Sequence, residues 1–296
     1  MKNTILVAGA TGNLGDRIVS ELLKKEVNVR AIVRKQTDPK KITALEKQGV
    51  EVVKANLDDK AEVKDASKNI SCLVSALQGL KDVIVDTQTV LLEAAVAAGV
   101  PRFIPSDFSV DFTKIPYGMN RNFDLRKEFL EKLDKAPIAG TSIFNGAFAE
   151  LLSYNIPLLD FKKGQVGYWE NADWRIDFTT MDNTAAYTAA VAVDEDSPEI
   201  LRIASFQISA IELATLAGQI KNKTLEIVRL GDLTELADKN KQDRLDHPEG
   251  EKELYSFWQQ NQYTHSMFSV NHEKLDNSRY PELEWSTPGE VLQQTR

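Results

Sequence analysis

Residues 4–15 read Thr-Ile-Leu-Val-Ala-Gly-Ala-Thr-Gly-Asn-Leu-Gly. The first five form a short apolar run, the pattern of a strand buried on both faces. Gly9, Gly12 and Gly15 follow, and Leu14, Ile18 and Leu22 then recur at helical spacing through residue 25. Glycines set between a strand and a helix let the backbone turn tightly and approach a pyrophosphate, and the free N–H groups of the helix start meet its charge. Gly15 lets the helix sit close on the strand. The spacing is G-x-x-G-x-x-G rather than G-x-G-x-x-G, so the placement carries the reading. The alternative is a glycine turn with a purely structural role. The loop nominates Gly9, Thr11, Gly12, Asn13, Leu14 and Gly15 as dinucleotide contacts.

Outward from this loop the pattern alternates. Strands are predicted over 28–33, 50–54, 70–76, 102–105 and 141–144. Helices are predicted over 40–47, 60–66, 83–98 and 123–133, the long alanine-rich one stopping at Gly99-Val100-Pro101. Apolar runs alternating with amphipathic helices are βαβ units, and predict an α/β fold: a Rossmann-type, doubly wound parallel sheet. Beyond Phe144 the alternation weakens. Strands are expected over 164–169, 175–178 and 225–230, with a helix over 183–193 capped by Asp182. Ser209 and Glu212 form a capping box ahead of a helix over 211–220. The 232–250 stretch is highly charged and reads as solvated helix and loop, and 255–268 is aromatic.

The 296 residues, 42% hydrophobic and 27% charged, hold ample material for a core. A net charge of −8 argues against nucleic acid as a partner, since a broad acidic surface repels phosphate backbones. Cys72 is the only cysteine, which forbids an intrachain disulfide and suits a cytoplasmic location. The apolar run at the N-terminus is too short for a signal peptide. No run of 18 apolar residues is present, so no membrane association is expected. His247, His265 and His272 lack ligand spacing with Cys72 or each other, and no metal is expected.

The second strand ends Val33-Arg34-Lys35. An NAD-preferring protein places an acidic residue near here for the ribose 2′-hydroxyl. Two cations stand there instead, and Arg34 suits bidentate binding of a 2′-phosphate. The expected cofactor is therefore NADP(H), with Arg34 and Lys35 as its contacts, although exposed basic pairs are also common at strand ends. Ser75-Ala76-Leu77-Gln78 ends the fourth strand at the carboxyl edge, where cofactors lie, which makes Ala76, Leu77 and Gln78 candidate contacts, with a plain loop residue as the alternative for Gln78. Asn56 and Asp58, after the third strand, either border the adenine or, for Asp58, cap the next helix.

GATGNLG at 9–15, VRK at 33–35, RFIPSDFS at 102–109 and FNGAF at 144–148 together resemble the atypical short-chain dehydrogenases, and among them the NmrA-like and isoflavone-reductase-like proteins. The resemblance is firmest through residue 148. It implies NADPH and a Rossmann domain over 1–148, with later segments returning to it. It also implies a smaller α+β domain, mainly 149–296, roofing a substrate cleft. Plant members reduce aromatic phenylpropanoids, whereas fungal NmrA senses dinucleotide without turnover. By this resemblance Ser106 lies near the nicotinamide ribose and Asn145 flanks the nicotinamide, with Gly146 leaving room for the ring. Asp107 is either a cap or a site carboxylate. Phe148, Tyr154, Tyr168, Trp169 and Trp174 fall where the family builds its cleft, or serve as core.

The chain departs from the pattern at the chemistry. Tyr-x-x-x-Lys is absent: Tyr117 is followed four residues later by Arg121, and Tyr187 by Val191. The reductases' F-x-x-K reads Phe123-Asp124-Leu125-Arg126 here, so Arg126 takes the lysine's place with Lys127 beside it. These are the candidate catalytic cations, against the alternative of a solvated basic face. Arginine is a poor general base but polarises a carbonyl well. Lys127 lies about 100° around the helix from Arg126. Two functions stay open: an NADPH-dependent reductase of a small aromatic or conjugated carbonyl compound, and a non-catalytic NADP(H) sensor whose bound state changes an interface open to a protein partner. The sequence leaves the oligomeric state as monomer or homodimer.

Overall fold

In the computed structural model, which describes residues 3–295, Thr4–Ala8 (β1) lies between two parallel neighbours. Its residues from Ile5 onward are fully buried, because both faces of the sheet are covered. The chain continues through Asn13–Lys24 (α1), Asn28–Arg34 (β2), Pro39–Lys47 (α2), Glu51–Ala55 (β3), Lys60–Ala66 (α3) and Cys72–Ser75 (β4). A π-helical turn, Asp82–Thr87, leads into Gln88–Ala97 (α4), followed by Arg102–Ile104 (β5), Arg121–Leu133 (α5) and Ala139–Gly140 (β6). The strand order is β3-β2-β1-β4-β5-β6, and every pairing is parallel. This is the doubly wound order 3-2-1-4-5-6, in which the winding reverses between β1 and β4. Ligands of such sheets bind beyond the strand ends at that reversal.

Residue contacts divide the chain into two units. The first takes the described residues through Phe108, then Leu125–Ile143 and Thr184–Leu201. One layer of its core joins Leu6, Ile32, Leu73 and Phe103 of the sheet to Leu91 and Leu92 of α4 and Phe129 of α5, with the Phe103 and Phe129 rings 5.9 Å apart. Arg102 is buried in this unit and donates to the Val191 carbonyl at 2.8 Å and to Ser197. That satisfies a charge which would be costly to bury alone.

The second unit holds Ser109–Asp124, Phe144–Asn183 and the described residues from Arg202 onward. It is α+β. Ile176–Thr179 pairs antiparallel with Phe206–Ile208 and parallel with Ala147–Phe148, while Gln165–Trp169 pairs in parallel with Glu226–Gly231. Helices Ala210–Lys221, Leu233–Asp246, Phe257–Ser269 and Pro288–Gln294 complete it. Buried Arg121 clasps this unit from within. It donates to the carbonyls of Gly250 at 2.9 Å and Glu253 at 2.8 Å, and lies 4.8 Å over the Trp258 ring. No helix among the described residues is long and apolar enough to cross a membrane.

Four local expectations change. The sixth strand of the parallel sheet is Ala139–Gly140, not 141–144. Thr141 still donates to Phe103, but Ser142 turns its N–H to the Glu199 carbonyl, and Ser142–Phe144 pairs with Ile200–Arg202 instead. The 83–98 helix begins as a π turn. Asp182 is not a cap, because the helix starts at Met181 and the Thr180 hydroxyl accepts the Asn183 N–H. Asp59, not Asp58, caps α3, while Asp58 accepts from the Thr87 hydroxyl. The Ser209–Glu212 capping box forms as read.

Candidate functional site

The three loop glycines sit in three different environments. Gly9 has φ +87°, and a Cβ there would lie 2.5 Å from the Ala76 carbonyl oxygen, so β1 and β4 approach each other through it. At Gly15 a Cβ would sit 2.1 Å from the Gly9 oxygen, which makes Gly15 the price of seating α1 directly on the loop. Gly12 is exposed, with φ −87°, and a Cβ there would meet only the Gly9 oxygen, at 3.3 Å. It caps α1 without a side-chain hydrogen bond, and a helix start of this kind leaves first-turn N–H groups without intrahelical partners. Thr11 and Leu14 are half-buried, and Asn13 is exposed, accepting from Arg17 at 3.1 Å. Lys41 of α2 donates to the Thr11 carbonyl at 3.2 Å and brings a cation to the loop that the sequence did not single out.

Arg34 and Lys35 leave β2 exposed, but they are differently engaged. The Lys35 ammonium lies 2.6 Å from one Glu62 oxygen, and the other accepts the Asn56 N–H at 2.8 Å. The hydrogen bonds from Lys35 and Asn56 hold the Glu62 carboxyl below its ordinary range.

Beyond β4, Ala76 donates its N–H to Ala8 at 2.8 Å, Leu77 is buried and Gln78 is exposed. The Ser106 hydroxyl donates to the Leu77 carbonyl at 2.6 Å. Its N–H donates to the side-chain oxygen of Gln88 at 2.9 Å, and its carbonyl accepts from Arg126 Nε at 3.1 Å. Ser106 is therefore tied to the loop after β4, to α4 and to α5 at once. Gln88 was invisible to sequence reading, because nothing in its helix distinguishes it from a solvated glutamine. Its full burial is a property of the fold.

Asp107 is fully buried and accepts the Ser142 hydroxyl at 2.8 Å rather than capping a helix. Burial pushes its carboxyl up to about 7 against the opposing pull of the Ser142 hydrogen bond and the Arg126 charge, while Asp134 adds to the rise. Arg126 is half-buried, and Lys127, on the next position of α5, is buried. The loop residues, Arg34, Lys35, Ala76, Leu77, Gln78, Ser106, Arg126 and Lys127 all belong to the first unit.

Asn145 belongs to the second unit, where it is fully buried and its carbonyl accepts the Thr179 hydroxyl at 2.6 Å. Gly146 has φ +65°, and a Cβ there would lie 2.4 Å from the Asp177 carbonyl oxygen, so backbone approach within this unit already demands the glycine. Phe148, Tyr168, Trp169 and Trp174 are half-buried, and Trp174 donates to the Met267 carbonyl at 3.0 Å. Tyr154 is 65% exposed, which removes it from any core. His272 is buried here, 3.7 Å from Asp177, and burial lowers it to about 4.

The NmrA-like family model matches residues 1–284. The chain belongs to the NmrA-like family. Pinoresinol reductase 2 of Arabidopsis thaliana is similar to this NmrA-like chain at 24% identity over 98% of the chain and 96% of the relative. A solved structure of isoflavone reductase superposes with a TM-score of 0.82 at 19% identity, covering 99% of both chains. A structure of AtPrR2 with NADP+ and (+)pinoresinol superposes with a TM-score of 0.78 at 22% identity, covering 99% of this chain and 98% of the other. At these identities the superpositions establish a shared fold.

Proposed function

We propose that this NmrA-like protein is an NADPH-dependent reductase of a small aromatic or conjugated carbonyl compound. The observation that carries the reading is the loop between β1 and α1. Its N-terminal helix cradle is open at Gly12, where a side chain would intrude, and that shape and charge fit a pyrophosphate. Arg34 extends the fit to a 2′-phosphate, since Lys35 is held by Glu62. NADPH, when bound, supplies the hydride; the protein binds and orients it. Relatives named for pinoresinol reduction, and the AtPrR2 structure with NADP+ and (+)pinoresinol, support the cofactor and an aromatic substrate class.

Arg126 is the group that stabilises negative charge developing on the substrate oxygen. Its Nε is anchored on the Ser106 carbonyl, and its guanidinium carries a fixed positive charge there. Lys127, being buried, is the weaker candidate. In the second unit, Phe148, Tyr168, Trp169 and Trp174 are the candidate aromatic contacts, and Asn145, in the same short segment as Phe148, is the candidate nicotinamide contact.

Two observations favour a second reading. The reductase lysine is replaced by Arg126 and Tyr-x-x-x-Lys is absent, as suits an NADP(H) sensor acting through a protein partner. A screen of NADPH oxidation against aromatic ketones, enones, quinones and pinoresinol separates the two. Turnover of a ketone, enone or quinone supports the carbonyl reductase; turnover of pinoresinol alone, which has no carbonyl, supports a reductase of an aromatic ether instead; tight NADPH binding without turnover supports the sensor.

A further inference from the structure

We infer that Gln88 is a positioning residue for this reductase chemistry: its side-chain amide fixes the Ser106 backbone, and Ser106 in turn fixes the Arg126 guanidinium. The inference rests on the reductase reading, and on four groups joined in one line. Gln88 is fully buried at the start of α4, where Leu91, Leu92, Ala94 and Ala95 supply an otherwise apolar face. Its Nε2 donates to the Ile84 carbonyl at 2.8 Å, inside the π turn Asp82–Thr87. Its Oε1 accepts the Ser106 N–H at 2.9 Å, and the Ser106 carbonyl accepts Arg126 Nε at 3.1 Å.

A buried amide with both ends paired is held in one orientation, since swapping its oxygen and nitrogen would set donor against donor at Ser106. That orientation carries information from α4 to α5. With Gln88 Nε2 on Ile84, Oε1 faces Ser106; Ser106 is also tied to Leu77 through its hydroxyl, and the Asp107 N–H, in the same peptide as the Ser106 carbonyl, donates to Pro105 at 2.9 Å, so both peptides flanking Ser106 are held. The Arg126 head group is thus aimed by the backbone it donates to. π turns recur at functional sites, where one extra residue per turn redirects the side chains that follow. Here the residue that follows is Gln88. An apolar residue of equal length would fill the same volume without aiming anything, so burial alone does not call for glutamine.

The test uses the compound the enzyme reduces fastest in the screen above, with four variants of the full chain: Gln88→Met, Gln88→Asn, Gln88→Glu and Arg126→Ala. Gln88→Met keeps the shape and loses both bonds. Gln88→Asn is one methylene shorter and withdraws from Ser106, and it serves if Gln88→Met does not fold. Either is expected to lower kcat roughly three- to tenfold, the scale of one lost hydrogen bond, with the NADPH dissociation constant unchanged. Gln88→Glu, protonated because it is fully buried, keeps an acceptor for the Ser106 N–H and a hydroxyl donor for the Ile84 carbonyl, and is expected to recover most of kcat. Wild-type kcat in Gln88→Met or Gln88→Asn, alongside a large loss in Arg126→Ala, overturns the positioning role and leaves the reductase standing. Wild-type kcat in Arg126→Ala, or no reduction of any compound, overturns the reductase reading of Arg126 and this inference with it. An equal loss of NADPH affinity and kcat in the Gln88 variants also overturns it, since that marks a general structural defect.

Discussion

The Lys35 ammonium sits 2.6 Å from Glu62 Oε1 while the same carboxylate receives the Asn56 N–H through its other oxygen. The pair splits the work of two adjacent cations that look equivalent in sequence. Arg34, on the last residue of β2, is the one expected to meet the 2′-phosphate. Arg34→Ala should weaken NADPH binding roughly ten- to a hundredfold, the scale of one lost charge-assisted contact. Lys35→Ala should cost about threefold or less, and NADH affinity should barely move in either. Calorimetric titration of both cofactors checks this; equal losses for NADPH and NADH in Arg34→Ala would count against a 2′-phosphate contact.

Gly12 and Gly15 should fail differently. Gly12 has an allowed φ and one neighbour at 3.3 Å, so Gly12→Val should fold with a near-native melting temperature and lose dinucleotide binding. Gly15→Ala drives a methyl to 2.1 Å from the Gly9 oxygen, and should lose roughly 1–3 kcal/mol of stability by overpacking. Thermal melts and NADPH titrations on the two variants separate the roles. A folded Gly12→Val protein with wild-type NADPH affinity would mean the pyrophosphate lies elsewhere.

How far the sequence could be read follows the range of the interactions involved. TILVA, the glycines and the alternating runs state the sheet and its loop locally, because a strand's burial and a helix's start are written in adjacent residues. Lys41 on Thr11, Glu62 on Lys35 and Gln88 on Ser106 were not legible, since each joins segments that only the fold brings together. Boundaries failed where two neighbours compete for one job, as with Asp58 and Asp59 at α3, or Asp182 and Thr180. The sixth strand was misplaced because Ser142–Phe144 is as apolar as a sheet strand but pairs with Ile200–Arg202.

Asp107 should make stability fall with rising pH. Its folded-state value of about 7 lies above the ordinary 3.8, so between these values the folded chain holds a proton that the unfolded chain has released. Stability from this group is greatest below about pH 4 and is lost as pH rises through 7. Asp107→Asn stays neutral throughout and can still accept from Ser142. It should be more stable than wild type at about pH 8, and the advantage should vanish near pH 4. Denaturant unfolding at the two pH values measures this; an advantage independent of pH would show that Asp107 does not titrate in the folded protein.

Arg126→Ala should lower turnover roughly a hundred- to a thousandfold, the usual cost of removing one donor from a developing oxyanion. Arg126→Lys, which restores the reductases' residue, should keep or raise activity. NADPH affinity should survive in both, because the phosphate loop is untouched. Steady-state kinetics with the best compound of the screen, alongside NADPH titration, gives the answer. Normal turnover in Arg126→Ala would reduce Arg126 to a structural cation that holds Ser106.

On the reductase reading, hydride passes from NADPH to a substrate carbon on this protein. The measurement that meets it directly is mass spectrometry of the product formed from NADPH deuterated at nicotinamide C4, using each of the two C4 stereoisomers. One deuterium should appear in the product from one stereoisomer and none from the other, as expected of a cofactor held in a single orientation. If both deuterated cofactors bind tightly to the protein, keep their label and yield no reduced compound, the reductase account is contradicted and the sensor reading takes its place.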